Sequence, residues 1–258
     1  MTGQNTLKQR LKAGETVAAA WLELGSPDVA ELLVHAGWDV LVIDCEHGVA
    51  GLEEGLGLIR AVEAAGGQAV VRVPDPSEAT LKRALDRGAR SIMVPMVQSA
   101  AMARDIAQAC LYPPRGRRGY AAPIVRATGF GAVTNYASAV AHDELLLMVQ
   151  IEHADAVGEV AKIADIDGID MAFVGPNDLA ASMGHLEDLT HGDVRKATAH
   201  VESTATAGGL MLGTIEGAGR DYATLRNDGY RFIVGPNDIS LLGSAARIAR
   251  KACAENLG

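Results

Sequence analysis

Apolar and polar residues alternate along the chain in two repeating kinds of segment. Short apolar runs that end in Gly, Pro or an acidic residue are each followed by a longer segment with apolar residues at helical spacing. The runs predict strands at Val17–Leu24, Val40–Glu46, Ala69–Val73, Ser91–Met96, Leu145–Glu152, Met171–Val174, Leu210–Ile215 and Phe232–Val234. The longer segments predict helices at Asp28–Ala36, Leu52–Ala65, Ser77–Arg87, Ala100–Ala109, Ala154–Ile163, Val194–Ala207 and Tyr222–Asp228, and a last one from Ile239 towards the C-terminus.

Strands that alternate with helices in this way predict a parallel sheet in an α/β domain. A closed (β/α)8 TIM barrel takes about 250 residues, so the 258 residues of this chain favour a single barrel over 1–258. A doubly wound open sheet is the alternative, but no G-x-G-x-x-G motif follows the first predicted strand. One segment, Tyr112–Asp143, lacks periodicity, and both a functional loop and a plain surface excursion remain open for it.

Charge and cysteine content exclude several classes of protein. The formal net charge of −9 argues against a nucleic-acid-binding protein, which would carry a basic excess. The three cysteines are odd in number and have no metal-site spacing, which is typical of a reduced, cytoplasmic protein. The N-terminus has no apolar core of a signal peptide, and no apolar run is long enough to predict a membrane span.

Active sites of (β/α)8 barrels lie at the C-terminal ends of the strands, so the polar residues there are the candidates. Glu152 and Asp178 follow adjacent predicted strands, and their carboxylates could share a divalent cation such as Mg²⁺ or Mn²⁺. Each carboxylate could instead cap a helix, an alternative that is strongest for Asp178. The GPND sequence at 175–178 also offers backbone N–H groups that could bind a carboxylate or phosphate.

Two basic residues at strand ends complete the candidate chemistry. His47 follows the second strand and is a candidate general base, with His153 as its main competitor. Arg72 lies in an apolar strand, where it is expensive to bury without an anion. It could hold an enolate or carboxylate, or form a structural ion pair with Asp44 or Glu46.

Lysines are absent from the predicted strand ends, because they stand only at Lys8, Lys12, Lys82, Lys162, Lys196 and Lys251. A Schiff-base aldolase needs a lysine inside its barrel. If the protein is an aldolase, a metal must therefore serve as its electron sink.

A series of motifs resembles the metal-dependent (class II) pyruvate aldolases typified by 4-hydroxy-2-oxoheptanedioate aldolase, within the citrate lyase and phosphoenolpyruvate/pyruvate barrel group. The motifs cover nearly the whole chain in order: WLELGSPDVAELL (21–33), DVLVIDCEHG (39–48), VVRVP (70–74), LDRGARSIMVPMV (85–97), YPPRGRRG (112–119), VQIE (149–152) and FVGPNDLA (173–180). A second GPND, at 235–238, stands where relatives show a looser Gly-x-Asp pattern, which could reshape the mouth of the pocket.

The resemblance implies a role for each candidate residue. Glu152 and Asp178 would bind the metal (Mg²⁺, Mn²⁺ or Co²⁺), His47 would be the general acid or base, and Arg72 would stabilise the enolate. Asp86 would support the basicity of the histidine. The remaining residues would contact or enclose the keto acid: Gln150, Gly175, Pro176, Asn177, Asp178 and Trp21.

The implied reaction is the reversible retro-aldol cleavage of a 4-hydroxy-2-keto acid to pyruvate, or a related acid such as hydroxypyruvate, plus an aldehyde. The resemblance also implies a homo-oligomer, a hexamer or trimer of dimers, whose eighth helix is often exchanged between subunits. The apolar segment Ile239–Leu257 would then pack on a partner, or it closes its own barrel.

Two other functions stay open from the sequence. A lyase of the same group that cleaves a CoA thioester would share the metal carboxylates, and Arg115, Arg117 and Arg118 are the only candidates for binding the CoA phosphates. A catalytically silent metabolite-binding barrel is less favoured, because His47, Arg72, Glu152 and Asp178 are all present.

Overall fold

The computed structural model describes residues 4–257 and contains a closed barrel of eight parallel strands in chain order. The strands are β1 Val17–Leu22, β2 Val40–Asp44, β3 Gln68–Arg72, β4 Ser91–Val94, β5 Leu146–Ile151, β6 Met171–Val174, β7 Met211–Ile215 and β8 Tyr230–Asn237. Every predicted strand is present, with ends that differ by a few residues, and the predicted (β/α)8 barrel is confirmed.

Helices follow the strands around the outside of the barrel. They are α1 Thr6–Lys12, α2 Pro27–His35, α3 Leu52–Ala64, α4 Glu78–Asp86, α5 Ala100–Cys110, α6 Ala141–Glu144, α7 Ala154–Val157, α8 Val160–Ala164, α9 Pro176–Ser182, α10 Gly192–Ala207, α11 Tyr222–Asn227 and α12 Asp238–Leu257. None of the helices in residues 4–257 combines the length and apolar character that crossing a membrane requires.

Alternate residues of each strand point into the barrel, where a core of side chains fills the interior. Ala19, Val42, Val70, Met148 and Phe232 belong to this inner cluster. Residues between them face the helices and form a larger second cluster. This alternation places the last inward-facing residues of β1, β2, β3 and β5 at one end of the barrel.

Helix α1 closes the opposite end, and the sequence pattern did not predict it. Leu7 and Leu11 are buried in the inner core, and Lys8 forms a buried ion pair with Asp170 at 3.0 Å. The N–H of Leu7 donates to the side chain of Gln68 at the start of β3. A short helix needs such tertiary contacts because its own stability in water is marginal.

The segment Tyr112–Asp143 contains only a 3₁₀ turn at Arg126–Thr128 and a π turn at Tyr136–Val140 before α6, as its lack of periodicity predicted. It is nevertheless fixed to the barrel: the His142 ring accepts the N–H of Tyr112 at 2.9 Å, and Arg126 pairs with Glu63 at 2.5 Å. The segment joins α5 to β5, so it enters the barrel from the end that α1 closes.

Candidate active site

A cavity of about 280 Å³ opens at the C-terminal ends of the strands. Most of the sequence-predicted site residues line it, and five further side chains contribute to its wall. The lining residues are Trp21, Glu23, His47, Arg72, Gln150, Glu152, Phe173, Gly175, Pro176, Asn177, Asp178, Ile215, Glu216, Gly235 and Asn237.

Asp44 and Arg72 form a buried ion pair on the β2–β3 side of the cavity. Register pairing sets the two residues opposite each other, so both side chains point inward. Arg72 donates from Nε to Asp44 Oδ1 at 2.9 Å and from Nη2 to Oδ2 at 2.7 Å. Burial would raise the pKa of Asp44, but these bonds and the N–H groups of Glu46 and His47 hold it below its usual value.

The Arg72 guanidinium is fixed on two further sides. Its Cζ lies 4.5 Å from the centre of the Trp21 ring, a cation–π contact. Its Nη1 lies 3.2 Å from Glu46 Oε2. The ion pair with Asp44 and Glu46 that the sequence left open is therefore present, and Arg72 still lines the cavity with part of its surface.

His47 lies in the turn that follows β2, at the rim of the cavity. Its backbone N–H donates to Asp44 Oδ1 at 3.2 Å, which fixes the turn, while its side chain is 67% exposed. Nε2 lies 3.7 Å from Glu46 Oε2. The competing His153 lies outside the cavity lining and caps α7, because its Nδ1 accepts the N–H of Asp155 at 3.2 Å.

Glu152 is a buried carboxylate on the β5–β6 side of the cavity. Oε1 accepts the N–H of Met96 at 2.7 Å, and Oε2 accepts Nε2 of Gln150 at 2.8 Å. Burial raises the pKa of Glu152 to about 7, and the nearby carboxylate of Asp178 adds to the rise. When this carboxylate is ionised, its two hydrogen-bond partners are uncharged donors, so no cation bonded to it balances the charge.

Close packing keeps Glu152 in place. A Cβ on Gly175 would lie 2.2 Å from Glu152 Oε2, so only glycine allows this carboxylate to lie against β6. Met96, whose N–H holds the other oxygen, has φ +54, a left-handed conformation that costs about 1–2 kcal/mol for a non-glycine residue. Strain of this kind clusters at functional sites.

Asp178 lies in the first turn of α9, next to the same cavity. Gly175 is the N-cap of that helix, and no side chain caps it, so the helix-cap alternative for Asp178 does not hold. Asp178 is exposed, and Asn177 precedes it on the rim. An aspartate here also interacts favourably with the helix dipole.

Glu152 and Asp178 fit a divalent cation by the chemistry of their donors. Both offer hard carboxylate oxygens, which Mg²⁺ and Mn²⁺ prefer. Burial first, and the neighbouring carboxylates second, raise the pKa of Glu152, and a bound cation would favour its ionised form. In addition, the buried Oε1 of Gln150 has no hydrogen-bond partner, so the cavity floor has an acceptor free for a ligand.

Asp86 does not line this cavity, and its support of the basicity of His47 stays a prediction. It is the last residue of α4, and that helix runs back towards the end of the barrel that α1 closes. Its Oδ1 accepts Nη2 of Arg118 at 2.7 Å. The motif match alone could not reveal this, because the end of the barrel on which a helix terminates depends on topology.

Sequence reasoning gave no role to several residues of the site. Glu23, Asn237 and Glu216 line the cavity, and the N–H of Met96 orients Glu152. A backbone donor leaves no signal in residue types. Glu216 was recognisable only as an acid at a strand end.

The second GPND sequence, at 235–238, has a structural role. Its first three residues, Gly235–Asn237, end β8, and Asp238 begins α12. Asp238 is buried and accepts the N–H groups of Glu23, Leu24 and Ile239 at 2.9–3.0 Å. It therefore ties the end of β1 to the end of β8 and closes the barrel beneath the rim.

The closed parallel barrel thus presents two carboxylates, an arginine and a histidine at its C-terminal mouth, the end at which the active sites of such barrels lie. Sequence comparison places the chain in a family: residues 18–244 match the model described as HpcH/HpaI aldolase/citrate lyase. The protein belongs to the HpcH/HpaI aldolase/citrate lyase family, and it is a lyase of the aldolase type.

Individual relatives agree with this assignment. The chain is 40% identical to a hydroxypyruvate/pyruvate aldolase of Paraburkholderia phytofirmans over 254 residues, 96% of this chain and 97% of the relative. It is 39% identical to a 2-keto-3-deoxy-L-rhamnonate aldolase of Klebsiella pneumoniae over 192 residues, 74% of this chain and 72% of the relative. A crystal structure of a family protein from Burkholderia cenocepacia superposes with a TM-score of 0.90 at 39% identity, covering 97% of this chain and 100% of that one.

Proposed function

We propose that the enzyme cleaves a 4-hydroxy-2-keto acid reversibly to pyruvate, or to a related acid such as hydroxypyruvate, plus an aldehyde, with Mg²⁺, Mn²⁺ or Co²⁺ as cofactor. The observation that carries the proposal is Glu152, a buried carboxylate with a pKa of about 7 beside Asp178, facing Arg72 across one small cavity. The aldolase names of the relatives support the pair of products.

Glu152 and Asp178 would hold the metal. When bound, the metal supplies a Lewis acid that favours the enolate form of the keto acid. Gln150 keeps Glu152 in orientation through its 2.8 Å bond, so the metal ligand does not have to be ordered on binding.

The other residues bind and orient the substrate. Gly175, Pro176 and Asn177 line the side of the cavity where α9 begins, and backbone N–H groups there would bind the carboxylate of the keto acid. The Trp21 ring encloses the opposite side and holds the Arg72 guanidinium in place. Arg72 would donate to the oxygen that gains negative charge as the carbon–carbon bond breaks.

His47 would carry the proton. In cleavage, its Nε2 would accept the proton of the substrate's C4 hydroxyl while the C3–C4 bond breaks, C4 leaves as the aldehyde and the bonding electrons pass into the pyruvate enolate. C3 of that enolate then takes up one proton to form the methyl group of pyruvate. Its position on the exposed rim allows the same nitrogen to exchange that proton with solvent. In the reverse direction, Nε2 returns the proton to the new hydroxyl.

The alternative lyase reaction on a CoA thioester lacks support at the proposed phosphate-binding residues. Arg115, Arg117 and Arg118 each bond to a carboxylate of this chain: Arg115 to Asp167 at 2.6 Å, Arg117 to Glu78 at 3.1 Å and Arg118 to Asp86 at 2.7 Å. Arginines with carboxylate partners already in place would have to break these bonds to bind CoA phosphates. The aldolase reaction needs no such change.

We also propose that the enzyme is a homo-oligomer that exchanges α12 between subunits, with a hexamer as the expected assembly. Within the described residues, Asp238 is the only buried residue of α12, while Leu242 and Ile248 are 62% and 71% exposed. The outer face of β1 and β8 carries a cleft of about 1160 Å³ that includes Ala18 and Ile233. A helix with exposed apolar residues and an uncovered cleft of mixed apolar and polar lining, in one chain, suit exchange between two copies.

We place the enzyme in the cytoplasm. Cys45, Cys110 and Cys253 are all free, and Cys253 is exposed. An exposed thiol is most stable in a reducing compartment. Cys45 is buried beside β2, and burial raises its pKa to about 12, which makes it an inert packing residue.

The decisive experiment couples pyruvate release to a dehydrogenase, with 4-hydroxy-2-oxoheptanedioate and sugar-derived 4-hydroxy-2-keto acids as substrates. Wild type and His47→Ala are compared with Mg²⁺, with Mn²⁺ and with chelator. We expect metal-dependent release that collapses in the variant. No release from any substrate by folded, metal-treated protein would contradict the proposal and favour the CoA-thioester lyase.

A further inference from the structure

Three polar residues form the outer wall of the active-site cavity: Glu23 after β1, Glu216 after β7 and Asn237 at the end of β8. They follow the three consecutive barrel strands β7, β8 and β1, and the proposed function assigns them no role. Neither Glu23 nor Glu216 forms an ion pair with a basic side chain anywhere in residues 4–257. The outer wall therefore presents two carboxylates without a directly bonded cation to whatever occupies the cavity. Arg72 and His47 act on Glu23 only from a distance, and Glu216 has the Tyr222 hydroxyl, which is uncharged, as a neighbour.

The charges of the cavity leave this negative excess even with the metal bound. A divalent cation would offset Glu152 and Asp178, and the charge of Arg72 is already offset by Asp44 at 2.7 Å. Burial and the carboxylates of Asp44 and Asp238 raise the pKa of Glu23, as expected where negative charge accumulates. No lysine and no second arginine lines the cavity in the described part of the chain.

Three side chains of the cavity, those of Gln150, Glu23 and Glu216, offer hydrogen-bond acceptors to a ligand. The buried Oε1 of Gln150 has no partner, and its orientation is fixed because Nε2 of the same amide donates to Glu152. The carboxylates of Glu23 and Glu216 are acceptors without a hydrogen atom to donate when ionised. A ligand that satisfies these atoms must bring O–H or N–H donors.

We propose that the outer wall selects aldehydes by charge: the enzyme accepts uncharged, hydroxyl-bearing aldehydes and discriminates against aldehydes that carry a second carboxylate. This inference rests on the proposed aldolase function and specifies its aldehyde substrate. In the addition direction, C3 of the pyruvate enolate bonds to the aldehyde carbon, and the aldehyde oxygen takes one proton. The step is redox-neutral, and only the distal group of the aldehyde meets the outer wall.

Two aldehydes of the same length and shape isolate the charge. 4-Oxobutanoate carries a distal carboxylate, and 4-oxobutanamide replaces it with a neutral amide that also donates hydrogen bonds. We would measure kcat/KM for both in aldol addition to pyruvate with Mn²⁺, at low and high ionic strength. The variants are Glu23→Gln, Glu216→Gln and their combination, and Glu31→Gln on the exposed face of α2 is the charge-matched control.

Wild type should prefer the amide by about tenfold or more at low ionic strength, and added salt should reduce the preference. Each cavity variant should reduce the ratio several-fold, the combination should reduce it most, and Glu31→Gln should leave it unchanged. Equal rates for the two aldehydes, or a ratio that the cavity variants do not move, would overturn the inference while leaving the aldolase function standing. Turnover of neither aldehyde, nor of glyceraldehyde, by folded and metal-loaded protein would overturn the aldolase function itself.

Discussion

Two carboxylates lie equally deep at the mouth of the barrel but on different sides of it. Asp44, at the end of β2, is 0% exposed and receives two hydrogen bonds from Arg72. Glu152, after β5, is 2% exposed and receives one bond from an amide side chain and one from a backbone N–H. The pKa of Asp44 falls below its usual value, whereas that of Glu152 rises to about 7.

The difference between the two pKa shifts shows which of the two carboxylates has a cationic partner within the chain. On the β2–β3 side it supplies a cation, so the ion pair is complete before any ligand arrives. On the β5–β6 side it buries an anion without a cation, at a cost in stability that bound metal would reverse. Binding sites commonly carry such uncompensated groups, since complementarity to the ligand replaces internal pairing.

The largest effect should follow from removing the uncompensated anion. Glu152→Gln keeps the shape of the side chain but lowers the affinity for metal. We expect kcat/KM for pyruvate release to fall about a thousandfold, equivalent to about 4 kcal/mol of transition-state stabilisation. Glu187→Gln, an exposed glutamate on the loop after α9, is the control and should keep its activity. A Glu152→Gln enzyme within tenfold of wild type would refute the assignment of this carboxylate.

The ion pair on the other side should matter to stability even without metal. Arg72→Met leaves Asp44 buried without its cation, which should lower the free energy of unfolding by about 3–5 kcal/mol. The double variant Asp44→Asn/Arg72→Met should recover much of that loss, because the buried charge is gone. Urea denaturation with chelator present measures both, and an undiminished stability in Arg72→Met would show that the pair is not structurally important.

The opposite pKa shifts predict opposite responses to pH in metal-free protein. Glu152 has a raised pKa in the folded state, so its stabilising contribution is present below pH 4.5 and is lost as pH rises through about 7. Asp44 has a lowered pKa, so its contribution is present above its ordinary pKa of 3.8 and is lost as pH falls below it.

The pH response can be measured as the difference in unfolding free energy between Glu152→Gln and wild type. As pH rises from 4.5 to 8, the free energy of unfolding of the variant should increase relative to that of wild type. The increase should be about 3 kcal/mol if the pKa of Glu152 is about 7 in the folded protein. Thermal or urea unfolding in chelator at several pH values gives this difference. A difference that does not change with pH would mean that Glu152 titrates normally in the folded protein.

The smallest effect concerns the two copies of GPND. Asp178 of the first copy is exposed at the cavity, whereas Asp238 of the second accepts three backbone N–H groups. Asp238→Ala should therefore lower the free energy of unfolding by about 1–3 kcal/mol, and Asp178→Ala should lower it by less than 0.5 kcal/mol or so in chelator. Activity should fall more in Asp178→Ala than in Asp238→Ala. Equal stability losses would contradict the different parts assigned to the two aspartates.

Much of this architecture was predictable from sequence because period-two and helical patterns are local properties of the chain. The strands and the placement of His47, Arg72, Glu152 and Asp178 at one end followed from them. The two GPND copies show the limit: their letters are the same, but one starts a helix after a short strand and the other extends a strand. Tertiary neighbours decide that difference.

Asp86 and Glu23 also show that the sequence alone does not determine which residues line the cavity. Asp86 stands inside a matching motif, yet its helix carries it to the closed end of the barrel, where it binds Arg118. Glu23 stands just beyond β1 with no chemical signature, yet it lines the cavity because Asp238 holds its backbone N–H. Helix α1 was also missed, since seven residues carry too little pattern to predict a helix.

We infer that the carboxylate of Glu152, on the β5–β6 side, is a ligand of a divalent cation. Calorimetric titration of Mn²⁺ into chelator-treated protein at pH 8 tests it most directly, for wild type and for Glu152→Gln. We expect wild type to bind one equivalent of Mn²⁺ at the mouth of the barrel, and Glu152→Gln to bind it with an affinity about a hundredfold weaker. The same affinity and stoichiometry in both proteins would contradict it.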